Sequence, residues 1–166
     1  MGQDKARLRY RGEPLANWIA RLVEAAAGSV TLIGNPELGG IPDLYPGEGP
    51  LGGILTALRH TSADWNLIVA CDMPEVSAEF LTGLLAAAER SGADALLPEG
   101  PSGQPEPLCA VYQKRIAGAL EQRFAQGIRK ITDALEAVAV ARLPVAELKP
   151  FQNVNTPEDW ARYAGR

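Results

Sequence analysis

An aspartate ends an apolar segment in the middle of the chain, where residues 66–76 read Asn-Leu-Ile-Val-Ala-Cys-Asp-Met-Pro-Glu-Val. The apolar run stops at Asp72, just ahead of a proline, which is typical of a buried parallel strand. We therefore expect the Asp72 carboxylate at the carboxyl end of a central strand, where open α/β sheets bind ligands. Because no lysine or arginine lies beside it in sequence, this acid is placed to hold a cation. The alternative is equally open at this point: an aspartate that only forms a turn before a proline.

Three other segments carry polar groups of the kinds that bind phosphates, metal ions or bases. Their candidate residues are Lys5, Asp43, Gly49, Pro50, Asn153 and Asn155. Each has an ordinary explanation when taken alone. The lysine fits a solvated arm, the asparagines fit turn or cap positions, and the Gly-Pro pair fits a loop-to-helix turn whose free backbone N–H groups meet water or an anion.

Composition excludes several other classes of protein. The chain has 166 residues, 46% of them hydrophobic, and a net charge of -4. These values fit one globular domain spanning residues 1–166 and argue against a general binder of nucleic acids or membrane surfaces. No apolar run approaches the roughly 18 residues that a membrane span needs. We expect a cytoplasmic protein, because no signal peptide precedes the fold.

The cysteines and the histidine offer little chemistry of their own. Cys71 and Cys109 lie in apolar, strand-like runs, so we expect small buried side chains in a reducing compartment. The single histidine, His60, falls at a predicted helix end with no cysteine or acid cluster near it. A zinc site or a Ser-His-Asp triad therefore has little support.

Helix and strand signals alternate along the chain. Periodicity and capping residues predict helices at residues 14–28, 51–59, 77–92, 116–124, 129–136 and from 156 onward. Strands are predicted at residues 29–34, 67–71, 93–97, 108–112 and 137–143. This order predicts an α/β fold: a mostly parallel, Rossmann-like sheet with helices on both faces, in three layers. The chain begins with a loop and a helix, so the first strand of such a fold is absent.

Five motifs occur in a familiar order: Met-Gly-x-Asp-Lys-Ala, Gly-Pro-Leu-Gly-Gly-Ile, Ala-Cys-Asp-Met-Pro, Pro-Leu-x-Ala-Val-Tyr and Asn-Val-Asn-Thr-Pro-Glu-Asp. Together they resemble the molybdenum cofactor guanylyltransferases, within the wider sugar-nucleotidyltransferase-like superfamily. The resemblance covers nearly the whole chain, and the Cys-Asp-Met-Pro and Asn-Val-Asn-Thr-Pro pair is its specific part. It implies transfer of GMP from GTP to molybdopterin, with release of pyrophosphate and a requirement for Mg²⁺.

The resemblance also implies a role for each candidate residue. Asp72 would be a Mg²⁺ ligand, Lys5 would neutralise the nucleotide phosphates, and Asp43 would contact the guanosine side. Asn153 and Asn155 match a pair near the pterin, and Asn155 is also placed as a second metal ligand. The Pro107-Leu108 edge and the Gly49-Pro50 turn would line the pocket. Since the substrate phosphate attacks, no side-chain nucleophile is needed. A hard cation and a lysine are suited to neutralise the negative charges of the nucleotide phosphates.

One departure from the family is serious. Family members open with a strand running into Leu-Ala-Gly-Gly-x-Ser-x-Arg directly before the Met-Gly pair, and this sequence starts at Met1. Either the sequence begins late or the chain has lost nucleotide binding. The first is favoured because Lys5, Asp72 and both asparagines remain. We expect the DNA upstream of the Met1 codon to encode the missing segment in frame, and we expect the 166-residue chain to bind GTP poorly in a titration.

Other functions stay open at this stage. Within enzymes, the chain would be a molybdopterin cytidylyltransferase or a guanylyltransferase for another phosphorylated acceptor. From a different class, it would be a non-catalytic nucleotidyltransferase-like domain that contacts a molybdoenzyme or its chaperone. A Rossmann dehydrogenase is disfavoured, because no Gly-x-Gly-x-x-Gly motif follows any predicted strand.

Overall fold

A computed structural model of the chain describes residues 9–146. Its helices are α1 (Leu15–Ala27), α2 (Pro50–His60), α3 (Ala78–Ser91), α4 (Ala117–Ala125) and α5 (Ile131–Ala134). Its strands are β1 (Arg9–Tyr10), β2 (Glu13–Pro14), β3 (Trp65–Val69), β4 (Ala95–Glu99), β5 (Cys109–Gln113) and β6 (Val140–Pro144). Single 3₁₀ turns are formed by Pro36–Leu38, Lys114–Ile116 and Leu135–Ala137.

Capping residues set the ends of the long helices. The Ser77 hydroxyl oxygen accepts the backbone N–H of Phe80 at 3.2 Å, which satisfies one of the open donors at the start of α3. Helices α1 and α3 end at Gly28 and Gly92, both in the left-handed conformation typical of a C-cap. The helix ends predicted at these residues are confirmed, whereas the helix predicted from residue 156 lies outside the described residues.

Four strands form the main sheet in the order β3-β5-β4-β6. Strand β5 pairs antiparallel with both of its neighbours, and β4 pairs parallel with β6. Strands β3, β4 and β6 therefore run in one direction and β5 alone runs against them. The prediction of a mostly parallel sheet is confirmed. The small β1–β2 hairpin lies apart from this sheet.

Helices cover both faces of the sheet. Alternate side chains of β5 enter opposite cores, as the two-residue period of a strand requires. Cys109 and Val111 pack in the core lined by α1 and α3, whereas Ala110 and Tyr112 pack in the core lined by α2, α4 and α5. The three-layer prediction is confirmed. No helix within residues 9–146 has the length and apolar character needed to cross a bilayer.

Two expectations about individual strands are wrong. Residues 29–34 form no strand, and an isolated bridge between Ile33 and Ile41 is the pairing recorded for them. Strand β3 is at an edge of the described sheet, not at its centre, and all five of its residues are half-buried. Both differences have one cause. Strand formation requires a hydrogen-bonded neighbour, and within residues 9–146 no strand lies between β3 and residues 29–34.

Candidate functional site

Asp72 lies in a tight turn three residues after the end of β3. The next residue, Met73, is 0% exposed and anchors the turn in the core. The N–H of Val76 donates to the Met73 carbonyl at 3.3 Å. Half-buried Asp72 lines a cavity of about 390 Å³, together with Pro50 at the start of α2 and Leu108 before β5. Asp72 and the first residue of α2 thus line the same cavity.

The segment before β5 is fixed next to this turn by two hydrogen bonds. The N–H of Ala70 donates to the carbonyl of Leu108 at 2.7 Å, and the Tyr112 hydroxyl donates to the carbonyl of Pro107 at 2.6 Å. Burial raises the pKa of Tyr112, so the hydroxyl keeps its proton and its donor role. The first bond joins Leu108 to the residue that follows β3, and the second joins Pro107 to β5.

Glu106 adds a second carboxyl group near Asp72. Its Oε1 accepts the N–H of Leu108 at 3.2 Å. Burial is the largest cause of its raised pKa, the Leu108 N–H opposes the rise, and the negative charge of Asp72 adds to it. The two carboxyl groups therefore lie within electrostatic reach of each other. Sequence reasoning missed Glu106, because the pairing of β5 with β3 that brings it to Asp72 leaves no local signature.

The raised pKa of Glu106 makes a pH-dependent prediction. Ionisation of Glu106 is less favourable in the folded chain than in the unfolded chain. The parent protein therefore loses stability as the pH rises from 4.5, the ordinary pKa of a glutamate, toward the higher pKa of Glu106 in the folded chain. The Glu106→Gln variant stays neutral and keeps the acceptor for Leu108. We expect its unfolding free energy, relative to the parent, to rise between about pH 4 and about pH 7 in urea denaturation.

An exposed residue supplies the control for this prediction. Glu24→Gln, at an exposed position of α1, makes the same chemical change away from Asp72 and corrects for the general effect of replacing a glutamate by glutamine. A Glu106→Gln effect that is the same at acid and neutral pH would show that its burial and the Asp72 charge do not disfavour ionisation.

The cysteines near the site have packing roles. Neither Cys71 nor Cys109 forms a disulfide. Burial, helped by the charge of Glu106, raises the pKa of the Cys109 thiol to about 12, so it is protonated at neutral pH and is a poor nucleophile or metal ligand.

Asp43 anchors the loop of residues 43–49 to α2. Its Oδ1 accepts the Thr56 hydroxyl at 2.6 Å and the N–H of Tyr45 at 3.0 Å. The Thr56 oxygen in turn accepts the N–H of Leu44 at 3.0 Å, and Thr56 is 1% exposed. Asp43 is not one of the described residues that line the cavity beside Asp72. Its contact with the guanosine side stays a prediction.

The same 43–49 loop is held at a second place, against the end of α4. The Tyr45 ring packs edge-on against Phe124, with 4.9 Å between ring centroids. Glu48 forms an ion pair with Arg129 at 2.7 Å, and the Arg129 guanidinium lies 3.9 Å from the Phe124 ring centroid. The loop is therefore attached both to α2 and to the end of α4.

Two glycines shape the entry into α2. Gly49 has φ 82° and ψ -175°, a backbone region that is essentially restricted to glycine, and it directs the chain into Pro50 at the first helical position. At Gly52, a Cβ would lie 2.9 Å from the Tyr45 Cβ and 3.2 Å from its carbonyl oxygen. The next residue, Gly53, has open space within 4 Å of such a Cβ. The 43–49 loop therefore packs closely against Gly52 and makes no such contact at Gly53.

These two neighbours provide a matched pair of variants. Gly52→Ala forces Tyr45 away from α2, and we expect it to lower the unfolding free energy by about 1–3 kcal/mol. Gly53→Ala meets no atom and replaces a poor helix former, so it is expected to raise the unfolding free energy by about 0.5–1 kcal/mol. Urea denaturation of both variants measures the difference, and equal effects would contradict the close packing of Tyr45.

The structure brings some of the candidate residues together and leaves others apart. Asp72, Pro50 and Leu108 line one cavity, and Gly49 directly precedes Pro50. Asp43 is bound to α2 further along that helix. Lys5, Asn153 and Asn155 lie outside the described residues, so their roles stay predictions.

Comparison with known proteins gives a consistent set of relatives. Residues 1–139 match the family described as MobA-like NTP transferase domain. A probable molybdenum cofactor guanylyltransferase of Methanothermobacter thermautotrophicus is 40% identical over 125 residues, which are 72% of this chain and 63% of that relative. A molybdenum cofactor guanylyltransferase of Pseudomonas putida is 32% identical over 167 residues, covering 95% of this chain and 86% of the relative.

Solved structures agree with this result. The crystal structure of molybdopterin-guanine dinucleotide biosynthesis protein A from Archaeoglobus fulgidus has 33% sequence identity and a TM-score of 0.78, and the match covers 98% of this chain and 89% of that one. The 2-C-methyl-D-erythritol 4-phosphate cytidylyltransferase of Thermus thermophilus has 18% identity and a TM-score of 0.70, with 96% and 91% coverage. That second likeness shows a shared fold alone.

Proposed function

Because the chain belongs to the family of MobA-like NTP transferase domains, we propose that it is a molybdenum cofactor guanylyltransferase. In the proposed reaction, a phosphate oxygen of molybdopterin attacks the α-phosphorus of GTP. The bond from that phosphorus to the oxygen bridging the α- and β-phosphates breaks, and pyrophosphate leaves. GMP is thereby joined to molybdopterin, and no covalent intermediate on the protein is required.

The observation that carries this proposal is the position of Asp72. It lies in the turn that follows β3 and lines the same cavity as Pro50, the first residue of α2. The N-terminus of a helix favours anions through its open N–H groups and its dipole. A carboxylate next to such an anion site is unfavourable unless a cation lies between the two charges. This pairing of an anion site with an acid suits a nucleotide triphosphate bound with a metal ion.

The residues present fit Mg²⁺ as that metal ion. Mg²⁺ takes hard oxygen ligands and commonly uses one or two carboxylates, with phosphate and water filling its other positions. Within residues 9–146 no group of three or more histidine, cysteine or acidic side chains is arranged to hold a metal. Asp72 would hold the ion, with Asn155 as the second protein ligand. When bound, Mg²⁺ neutralises charge on the nucleotide phosphates.

The remaining roles rest on the family motifs. Lys5 would place a positive point charge on the nucleotide phosphates. Asp43 would contact the guanosine side, and Asn153 would lie near the pterin. The family match over residues 1–139 includes Lys5 and Asp43. Gly49 and Pro50 support them by presenting the start of α2 to the cavity that Asp72 lines.

A nucleotide competition tests the proposed function. The full chain is incubated with molybdopterin, Mg²⁺ and either GTP or CTP, and both pyrophosphate release and the mass of the dinucleotide product are measured. We expect product with GTP, at a high KM that reflects the poor GTP binding expected of the 166-residue chain, and little product with CTP. Preference for CTP would instead identify a cytidylyltransferase, and no product with either nucleotide would favour a non-catalytic domain.

A further inference from the structure

Thr56 is a polar residue in an otherwise apolar core. It is 1% exposed, and among residues 9–146 it is the one polar side chain, tyrosines and cysteines aside, that is buried. A buried polar group is more informative than a buried apolar one, because it loses its hydration on folding. Valine has nearly the same shape as threonine, so packing alone does not account for the hydroxyl. Its contacts must explain it.

The Thr56 hydroxyl has two acceptors within reach of its single proton. Its oxygen lies 2.6 Å from Oδ1 of Asp43 and 3.0 Å from the carbonyl oxygen of Gly52. Because a hydrogen bond to a carboxylate is the stronger of the two, the proton goes to Asp43. The Gly52 carbonyl is in any case the acceptor of a backbone N–H four residues on in α2. The helix therefore has no need of this hydroxyl, whereas Asp43 uses it.

The carboxylate of half-buried Asp43 is fixed through one of its two oxygens. Oδ1 accepts both the Thr56 hydroxyl, at 2.6 Å, and the N–H of Tyr45, at 3.0 Å. The Thr56 oxygen also accepts the N–H of Leu44 at 3.0 Å, which holds the backbone that follows Asp43. For Oδ2 no hydrogen bond or ion pair is formed with any residue between 9 and 146. An ionised carboxylate can accept about four hydrogen bonds, so Oδ2 is left as an acceptor for a ligand.

We propose that Thr56 is a positioning residue for nucleotide binding: its hydroxyl holds the Asp43 carboxylate so that Oδ2 accepts a hydrogen bond from the guanosine part of GTP. This inference rests on the proposed function, which assigns Asp43 to the guanosine side. Thr56 itself touches no substrate. Without its hydroxyl, the Asp43 side chain samples several rotamers, and binding has to select one of them at an entropic cost.

Steady-state kinetics of the full chain test this role. The guanosine part does not change during the reaction, so its contact is equally strong before and in the transition state, and its loss raises KM without lowering kcat. Thr56→Val should raise the KM for GTP about tenfold and leave the KM for molybdopterin within about twofold of the parent. Thr56→Ser keeps the hydroxyl and should restore the parent's KM. Thr82→Val, at an exposed position of α3, should change neither KM.

A double-mutant cycle shows whether Thr56 acts through Asp43. Asp43→Ala should raise the KM for GTP at least as much as Thr56→Val does. Added to Asp43→Ala, Thr56→Val should raise it by less than about a further twofold, because no carboxylate is left to position. In the Asp43→Ala variant the hydroxyl can donate to the Gly52 carbonyl at 3.0 Å, so no buried donor loses its partner. Partial unfolding of a variant lowers the measured rate and leaves KM unchanged, so it cannot imitate this pattern.

Three results would overturn the role of Thr56 and leave the proposed function intact. The parent chain makes product from GTP, and Thr56→Val leaves the KM for GTP unchanged. Thr56→Ser fails to restore that KM. The effects of Thr56→Val and Asp43→Ala multiply in the double variant, so that Thr56 acts independently of Asp43. A parent chain that makes no product from GTP would instead remove the proposed function, and the role of Thr56 with it.

Discussion

Asp72→Asn is expected to lower kcat/KM for GMP transfer at least about a hundredfold, while the unfolding free energy changes by less than about 1 kcal/mol. The substitution keeps the size of the side chain in its turn above Met73 and removes only the negative charge. A neutral amide is a much weaker ligand for Mg²⁺ than a carboxylate. Pyrophosphate release with GTP and molybdopterin, at increasing Mg²⁺ concentrations, measures the effect.

The matched control for this prediction lies at the other end of the same strand. Asp64 is exposed just before β3, and the bond recorded there uses its backbone carbonyl. Asp64→Asn should therefore leave the rate unchanged. Full activity of Asp72→Asn at every Mg²⁺ concentration would remove Asp72 from the reaction and leave it the role of a turn former.

Thr56→Val is expected to lower the unfolding free energy by about 2–3 kcal/mol, although the two side chains have nearly the same shape. The lost hydroxyl donates to the carboxylate of Asp43 and accepts the N–H of Leu44. The Asp43 carboxylate and the Leu44 N–H each lose one hydrogen bond in a part-buried position. The midpoint of urea denaturation should fall without a change in its slope.

Two further threonine variants separate the contribution of the hydroxyl to stability from that of the methyl group. Thr56→Ser keeps the hydrogen bonds and removes a buried methyl group, so it should cost only about 1 kcal/mol. Thr82→Val, at an exposed position on α3 where the hydroxyl bonds to the Ala78 carbonyl, should change stability by less than about 0.5 kcal/mol. Equal losses for Thr56→Val and Thr56→Ser would mean that the bonds to Asp43 and Leu44 contribute little.

Helix ends were predictable because the signals that set them are local. Gly28 and Gly92 end α1 and α3 in the left-handed conformation, and Ser77 caps α3 through its own side chain. Each of these effects involves residues within about one helical turn. The order of helices and strands, and with it the three-layer fold, follows from such local signals.

Strand positions were less predictable because a strand depends on a distant partner. Residues 29–34 have the composition of a strand and yet form none, and no strand within residues 9–146 lies beside their inner edge. Strand β3 has the apolar run of a central strand but occupies an edge. Composition reports how well a segment would pack, and it carries no information on which segment lies beside it.

The candidate site likewise combines features that local sequence predicts with contacts between distant segments that it does not. The turn at Asp72 was predictable from the Cys-Asp-Met-Pro motif, which ends an apolar run. Glu106 was not, because it approaches Asp72 only through the pairing of β5 with β3. Nor was the bond from Thr56 to Asp43, which joins residues 13 positions apart across a loop and a helix.

The double attachment of the 43–49 loop has a consequence for ligand affinity. The loop is tied to α2 through Asp43 and to α4 through Tyr45, so it enters the Gly49–Pro50 turn already ordered. Ordering a mobile side chain or loop segment on binding commonly opposes association by about 0.5–1.5 kcal/mol for each immobilised side chain. A ligand that meets this turn avoids that entropic penalty. Its association should therefore be limited by encounter and not by loop closure.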